Sequence, residues 1–332
     1  MQKYMFILYF GIFLGLFSCG ENNGRNSNKI PARTPSNPSP IPSLPNGEIQ
    51  NYLALVSENR ILNDIKWLSS FKTRYYLAPE GVQVVLDLKE KWEQLSQGRN
   101  DIKIELIDHE WPQPSLKLTF IGDIDQEIVI GGHIDSINTD NEGVESSAPG
   151  ADDNASGISV ITEIIKILAE SGYKSKNQLT FYAYAAEEVG LRGSYEIAKS
   201  YQDENKFVRG VLNLDGTNYN GSSKKIVLIS DSTSSEQNTF LAKIIDDYIK
   251  VDWGYDSCDY ACSDHYPWTY YGFKASFPAE ALIAEENPYI HTSQDTLENM
   301  GYSANHSVLF AKLGLAYILS LDEVLENSVT FH

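Results

Sequence analysis

The order of apolar runs predicts an α/β protein: a three-layer α/β/α sandwich around a mixed, mostly parallel β-sheet. Two observations carry this. Short runs rich in Ile, Val, Tyr and Phe alternate with longer stretches whose apolar residues recur at helical spacing. Several of the short runs also end in His, Asp or Glu, and ligands gather at the carboxyl ends of strands in such sheets.

Taken in order, Glu127 to Asp135 begins as a buried strand, Ile and Val followed by a Gly pair. Gly157 to Ala169 sets Ile158, Ile161, Ile164, Ile165 and Leu168 on one helical face. Gln178 to Ala186 is an aromatic strand, and Gly210 to Leu214 and Lys225 to Ile229 are two more. Phe240 to Ile249 and Ser307 to Leu321 repeat the helical pattern. His133 and Asp135, Glu187 and Glu188, and Asp215 each terminate a predicted strand, so the acids converge on one sheet edge.

The first residues stand outside this pattern. Lys3 precedes an apolar run, Tyr4 to Phe17, too short to serve comfortably as a mature membrane span. Residues 1–18 therefore read as a signal peptide. Ser18 before Cys19 resembles a bacterial lipobox, in which Cys19 is lipidated and becomes the mature N-terminus. Phe17 is an uncommon occupant of its place, and an ordinary signal peptide with Cys19 incidental is the alternative. Residues 19–46 are rich in Asn, Ser and Pro and form an extended tether, leaving a domain over 47–332. The expectation is a cell-envelope lipoprotein, otherwise a secreted protein, touching the membrane through lipid only.

With Cys19 so used, Cys258 and Cys262 are an even pair suited to a disulfide in an oxidising compartment. A loop this small gains modest entropic stabilisation, so the bridge serves local geometry. A thiolate metal site would need a closer spacing and further cysteines. Apolar content of 42% and charged content of 21% describe an ordinary globular chain, expected to be a monomer. The net charge of −19 argues against nucleic acid as a partner.

Five segments place chemistry where strand gives way to loop: Gly131-Gly-His133-Ile-Asp135, Pro149-Gly-Ala-Asp152-Asp153, Ala185-Ala-Glu187-Glu188, Asn213-Leu-Asp215 and Ile290-His291-Thr-Ser-Gln-Asp295. Each has a bland reading: a hydrogen-bonded His, a helix-capping Asp pair, a solvated Glu pair. Jointly they suit zinc, cobalt or manganese, because buried carboxylates need cations and imidazole–carboxylate sets bind such ions.

These segments, with the stretches Ala183 to Ser194, Tyr260 to His265 and Ser69 to Tyr75, resemble the M28 metallopeptidases, in particular their bacterial leucyl-aminopeptidase branch. The resemblance implies a zinc-exopeptidase fold, two zinc ions and peptide substrates with a free N-terminus. It implies that Asp152 bridges the metals, that His133 and Asp215 complete one site, and that Glu188 and His291 complete the other. It also implies Glu187 as general base, Asp135 and Asp295 as orienters of His133 and His291, and a cis peptide between Asp152 and Asp153. Tyr260, steadied by the small disulfide, would donate to the oxyanion, and His265 would be structural.

The chain departs from that pattern around its expected substrate pocket, formed by Gly216, Phe277, Ala279, Ile283, Glu286 and Ile290. Ala279, Ile283 and Glu286 stand where aromatic residues are expected, and Gly216 where a bulky side chain is common. A roomier, more acidic pocket follows, open to large or basic N-terminal residues. Three rival readings are an M28 carboxypeptidase, a one-zinc glutaminyl cyclase and a binding lipoprotein without catalysis. The full ligand set speaks against the cyclase, and Glu187 against the inert protein.

Overall fold

The computed structural model describes residues 46–323; the signal peptide, Cys19 and the tether up to residue 45 lie outside the described residues. Three helices come first, α1 (Asn46–Leu53), α2 (Glu58–Leu68) and α3 (Pro79–Leu95), followed by strands β1 (Ile102–Ile107) and β2 (Ser115–Phe120). The expected alternation then runs β3 (Ile124–His133), α4 (Ala155–Glu170), β4 (Asn177–Tyr184), α5 (Arg192–Asp203) and β5 (Val208–Asn213). After it come β6 (Ile226–Ile229), α6 (Ser235–Ile244), β7 (Trp253–Asp256) and α7 (His265–Tyr270). The last elements are β8 (Ala275–Ser276), β9 (Pro278–Ala279) and α8 (Ser307–Glu323).

The larger sheet has the order β1-β2-β4-β3-β5-β8. Its pairs are antiparallel from β1 through β4 and parallel from β4 through β8, so the sheet is mixed as expected. The run Lys225 to Ile229 departs from the single-sheet picture: β6 is the middle strand of a smaller sheet, β7-β6-β9. Only Phe277 separates β8 in one sheet from β9 in the other, so this residue joins them.

Side-chain alternation on the central strands produces the three layers. Ile128 and Ile130 of β3, with Leu179, Phe181 and Ala183 of β4, belong to the core shared with α2, α3, α4 and α8. Val129, Tyr182 and Tyr184 point to the other face, against Ile197 and Tyr201 of α5 and Trp268 of α7. Strands buried on both faces read as continuous apolar runs, which is why they were legible. The buried indoles keep their N–H groups paired: Trp92 donates to Thr162 Oγ1 at 3.0 Å and Trp268 to Tyr184 Oη at 3.0 Å.

Two features aim this scaffold at the sheet edge. The Gly131-Gly132 pair permits close approach: a Cβ on Gly131 would fall 2.3 Å from the Tyr184 ring, and one on Gly132 2.3 Å from the Leu214 carbonyl oxygen. β3 and β5 can therefore deliver His133 and Asp215 side by side. The second feature is Arg74, on the loop between α2 and α3, which among the described residues is the one buried Arg or Lys. Its guanidinium donates to the carbonyls of Ile134 (2.8 Å), Pro149 (2.5 Å) and Gly150 (2.9 Å), tying the loop after β3 to the loop before α4. Burial lowers its pKa, while Asp295, Asp153 and Asp135 act in the opposite sense.

Replacing Arg74 by Met would leave those carbonyls and carboxylates without their cation, and should cost about 3–5 kcal/mol of stability in urea unfolding. Arg74→Lys should recover little of it, since an ammonium lacks the planar fork. A loss below about 1 kcal/mol for Arg74→Met would show that the loops hold without it.

Candidate active site

The expected metal-site residues sit at the end of a core strand or in the loops that adjoin core elements. His133 is the last residue of β3, Glu187 and Glu188 follow β4, and Asp215 follows β5. Asp153 lies just before α4, whose N-cap Asn154 accepts from Gly157 N at 3.0 Å and also donates to the Leu214 carbonyl at 2.9 Å. His291, at φ 57°, is held by Thr139, whose N–H donates to its carbonyl at 2.9 Å.

These side chains converge on a single carboxylate. Asp153 Oδ1 lies 3.0 Å from His133 Nε2, and its Oδ2 lies 3.1 Å from His291 Nε2. Asp215 Oδ1 is also 3.1 Å from His133 Nε2, and Glu188 Oε2 is 3.2 Å from His291 Nε2. Each histidine thus shares one oxygen of Asp153 and has a second carboxylate of its own. Ligand atoms bound about 2.0–2.2 Å from one tetrahedral ion stand roughly 3.3–3.5 Å apart, close to these separations. His133, Asp153 and Glu188 meet the geometric requirement for holding a metal ion together. Glu188 Oε1 is buried without a hydrogen-bond partner, a lone acceptor of the kind that a cation satisfies. The donor set therefore fits a divalent metal such as zinc.

Asp153, not Asp152, faces the histidines. The two acids lie in the turn before α4, and Asp152 points away from the cluster. Its carboxylate accepts from Asn218 N (3.0 Å) and Asn287 Nδ2 (3.0 Å) and meets the Glu280 carboxyl. The cis peptide is shifted by the same single residue, to Asp153–Asn154. Asp295 also differs from expectation. It accepts from the backbone N–H groups of Asp152 (3.1 Å) and Asp153 (2.9 Å), so it supports the loop before α4 and not the His291 ring.

Asp135 has a wider task than orienting His133. Its carboxylate accepts from the backbone N–H of Glu187 at 3.0 Å and of Glu188 at 3.1 Å. His133 Nδ1 lies 3.1 Å from the Asp135 carbonyl oxygen and 3.6 Å from its carboxylate, which leaves Nε2 for the cluster. Ser263 donates to Asp215 Oδ2 at 2.5 Å and accepts from Asn213 at 2.7 Å, a support that sequence reading missed although it lies inside the Tyr260 to His265 stretch. His265 stacks on Phe277 at 5.2 Å with neither ring nitrogen partnered, and burial lowers its pKa to about 4, keeping it neutral.

The electrostatics express a shortage of positive charge. Burial, reinforced by neighbouring carboxylates, holds Glu187 and Glu188 well above the usual carboxylate range. Burial opposes protonation of His133, but Asp215 and Glu187 outweigh it and raise the imidazole well above its ordinary value. His291 is raised to about 9 against the same desolvation, by its hydrogen bond to Asp153. Burial also pushes Asp153 upward, yet the bonds from His133 and His291 hold it low. Protons thus collect where a metal's charge belongs.

The six expected pocket residues, Gly216, Phe277, Ala279, Ile283, Glu286 and Ile290, line one cavity of about 100 Å³, which Asp153, Glu187, Asp215 and His291 also face. Tyr260 and the Cys258–Cys262 disulfide form part of its wall. Glu280, absent from the expected set, lines it as well. A wider cleft of about 610 Å³ beside Trp111 and Arg192 contains none of the clustered ligands.

Known proteins share this arrangement of elements. The profile of peptidase family M28 matches residues 118–315. The probable leucine aminopeptidase of Trichophyton verrucosum (strain HKI 0517) is 34% identical over 279 residues, covering 82% of this chain and 76% of that protein. The crystal structure of the Legionella pneumophila LapA aminopeptidase superposes with a TM-score of 0.80 at 31% identity, covering 88% of this chain and 79% of its own. That of LapB from the same organism gives 0.79 at 32% identity, with 86% and 77% covered. The matched span contains all the clustered His, Asp and Glu residues, and the chain belongs to peptidase family M28, whose members are peptide-bond hydrolases.

Proposed function

We propose that the protein is an exported di-zinc aminopeptidase that releases N-terminal residues from peptides. The carrying observation is that the two oxygens of Asp153 address different histidines, each with a further carboxylate. In this reading His133 and Asp215 hold one zinc, His291 and Glu188 the other, and Asp153 spans both. Zinc bound there would supply Lewis acidity to a water and to a carbonyl oxygen.

The chain's own groups do the rest. Glu187 faces the same cavity, 4.0 Å from His133 Nε2, and is not needed to hold either ion. Beside the cluster but outside its histidine–carboxylate pairs, its carboxylate is placed to take a proton from water and return it to the departing amine. Asp135 fixes its backbone. Tyr260 is 65% exposed and lines the cavity, so a substrate can reach it there and its neutral phenol can donate to the developing oxyanion. A free amine is favoured over a free carboxylate because the cavity adds Glu286 to the acids of the cluster, while none of its lining residues is Lys or Arg. Export is supported by the apolar run from Tyr4 to Phe17 ahead of Ser18-Cys19, and by the disulfide.

Glu187→Gln should retain two equivalents of zinc by elemental analysis and lose about 10²–10⁴-fold in kcat on aminoacyl anilides. Full metal content with no hydrolysis even in the unaltered enzyme would instead support a binding protein. Tyr260→Phe should lower kcat on the order of a hundredfold with KM little changed, and an unaltered kcat would remove Tyr260 from the mechanism. Cys19→Ala should move the protein from the membrane to the soluble fraction on cell fractionation. Continued membrane attachment of that variant would sink the lipid anchor.

A further inference from the structure

Two carboxyl groups of the cavity lie outside the metal cluster, and their surroundings differ. Glu280 is buried, with Oε2 accepting from Tyr219 N at 2.5 Å and its carboxyl hydrogen-bonded to Asp152. It forms a polar inner wall. Glu286 is exposed at the mouth, and among the described residues it has no hydrogen bond or ion pair. Its carboxylate faces a cavity that also holds Asp153, Asp215 and Glu187.

Gly216 opens the space in front of the inner wall. A Cβ at this position would lie 3.7 Å from Glu280 Cδ, so a longer side chain would cover the acid. The φ of +55° also favours glycine there. Phe277, Ala279, Ile283 and Ile290 supply apolar wall to the same cavity as the two acids. An apolar channel ending in an unpaired carboxylate matches a long alkyl stem that carries a cation. A purely aliphatic side chain would fill the walls but desolvate the acids without partnering them.

Building on the aminopeptidase reading, we propose that the cavity selects peptides with lysine or arginine at the N-terminus. The methylene stem lies along Phe277, Ala279, Ile283 and Ile290, and the cationic head pairs with Glu286. Glu280, kept in its protonated form by burial and by its hydrogen bond to Asp152, closes the inner end as a neutral polar wall. Solvent at the mouth screens this pair, so the preference is a modest multiple and weakens with salt.

The test compares lysyl and norleucyl p-nitroanilides, which share a four-carbon stem and differ in the terminal ammonium, using the zinc-loaded full domain. The kcat/KM ratio of lysyl to norleucyl substrate should be about fivefold or more in favour of lysine, and should narrow as salt rises. Glu286→Gln should bring the ratio close to one, and Glu286→Lys should invert it. A ratio near one in the unaltered enzyme would overturn the proposal. So would an equal loss on both substrates in Glu286→Gln, because Glu286 would then be reading the α-ammonium common to both. If neither of these substrates nor a leucyl or phenylalanyl one is cleaved, the aminopeptidase reading itself fails, and this proposal with it. Cleavage without a charge preference defeats the proposal alone.

Discussion

Carboxylates crowded together at the carboxyl edge of the sheet impose the constraint to which the surrounding structure answers. Asp135, Asp152, Asp153, Glu280 and Asp295 are all buried, and Glu187, Glu188 and Asp215 stand beside them. Water would solvate such charges, but a packed interior cannot, and each uncompensated one costs several kcal/mol. The chain answers in three ways. Asp135 and Asp295 spend their oxygens on backbone N–H groups of the ligand loops. Asp152 and Glu280 share a hydrogen bond, with burial holding the Glu280 proton in place. The rest confront His133 and His291, where charge must come from protons or from metal.

Arg74 supplies the fixed positive charge that metal cannot. It bonds to carbonyl oxygens and to no carboxylate, so it stiffens the loop before α4 while leaving every ligand oxygen free. Its field still reaches the acids, for Asp295, Asp153, Asp135 and Glu188 all act on its own proton affinity. A guanidinium placed among the ligands would compete with a metal; placed one layer behind them, it shapes the site without occupying it.

What the sequence disclosed and what it hid follow from the same physics. The two-sided burial of β3, β4 and β5 writes itself as continuous apolar runs, so the acids at their ends were readable as one edge. The residues expected around the pocket rested on the family resemblance, and the structure gathers them around one cavity because Gly216 follows Asp215 directly and the others share the stretch from Phe277 to Ile290. The smaller sheet was not readable, since its strand β9 has two residues and β7 and β6 four each, too few for a periodicity to show. Arg74 and Ser263 were missed as participants because their partners lie 60 and 48 positions away, and nothing local marks such a contact.

The choice between Asp152 and Asp153 could not be made from composition or spacing. Both are acids beside a helix cap, and only the course of the backbone decides which one turns toward the histidines. Once it is decided, the rejected residue gains a different meaning. Asp153 reaches His133 and His291, while Asp152 reaches Glu280, which lines the cavity that Gly216 opens. Asp295 holds the backbone of both. A single buried dipeptide thus joins the histidine–carboxylate cluster to the wall of the cavity. Any change that moves this loop must disturb the histidine–carboxylate cluster and the cavity wall together, whereas the exposed Glu286 lies outside this hydrogen-bond network.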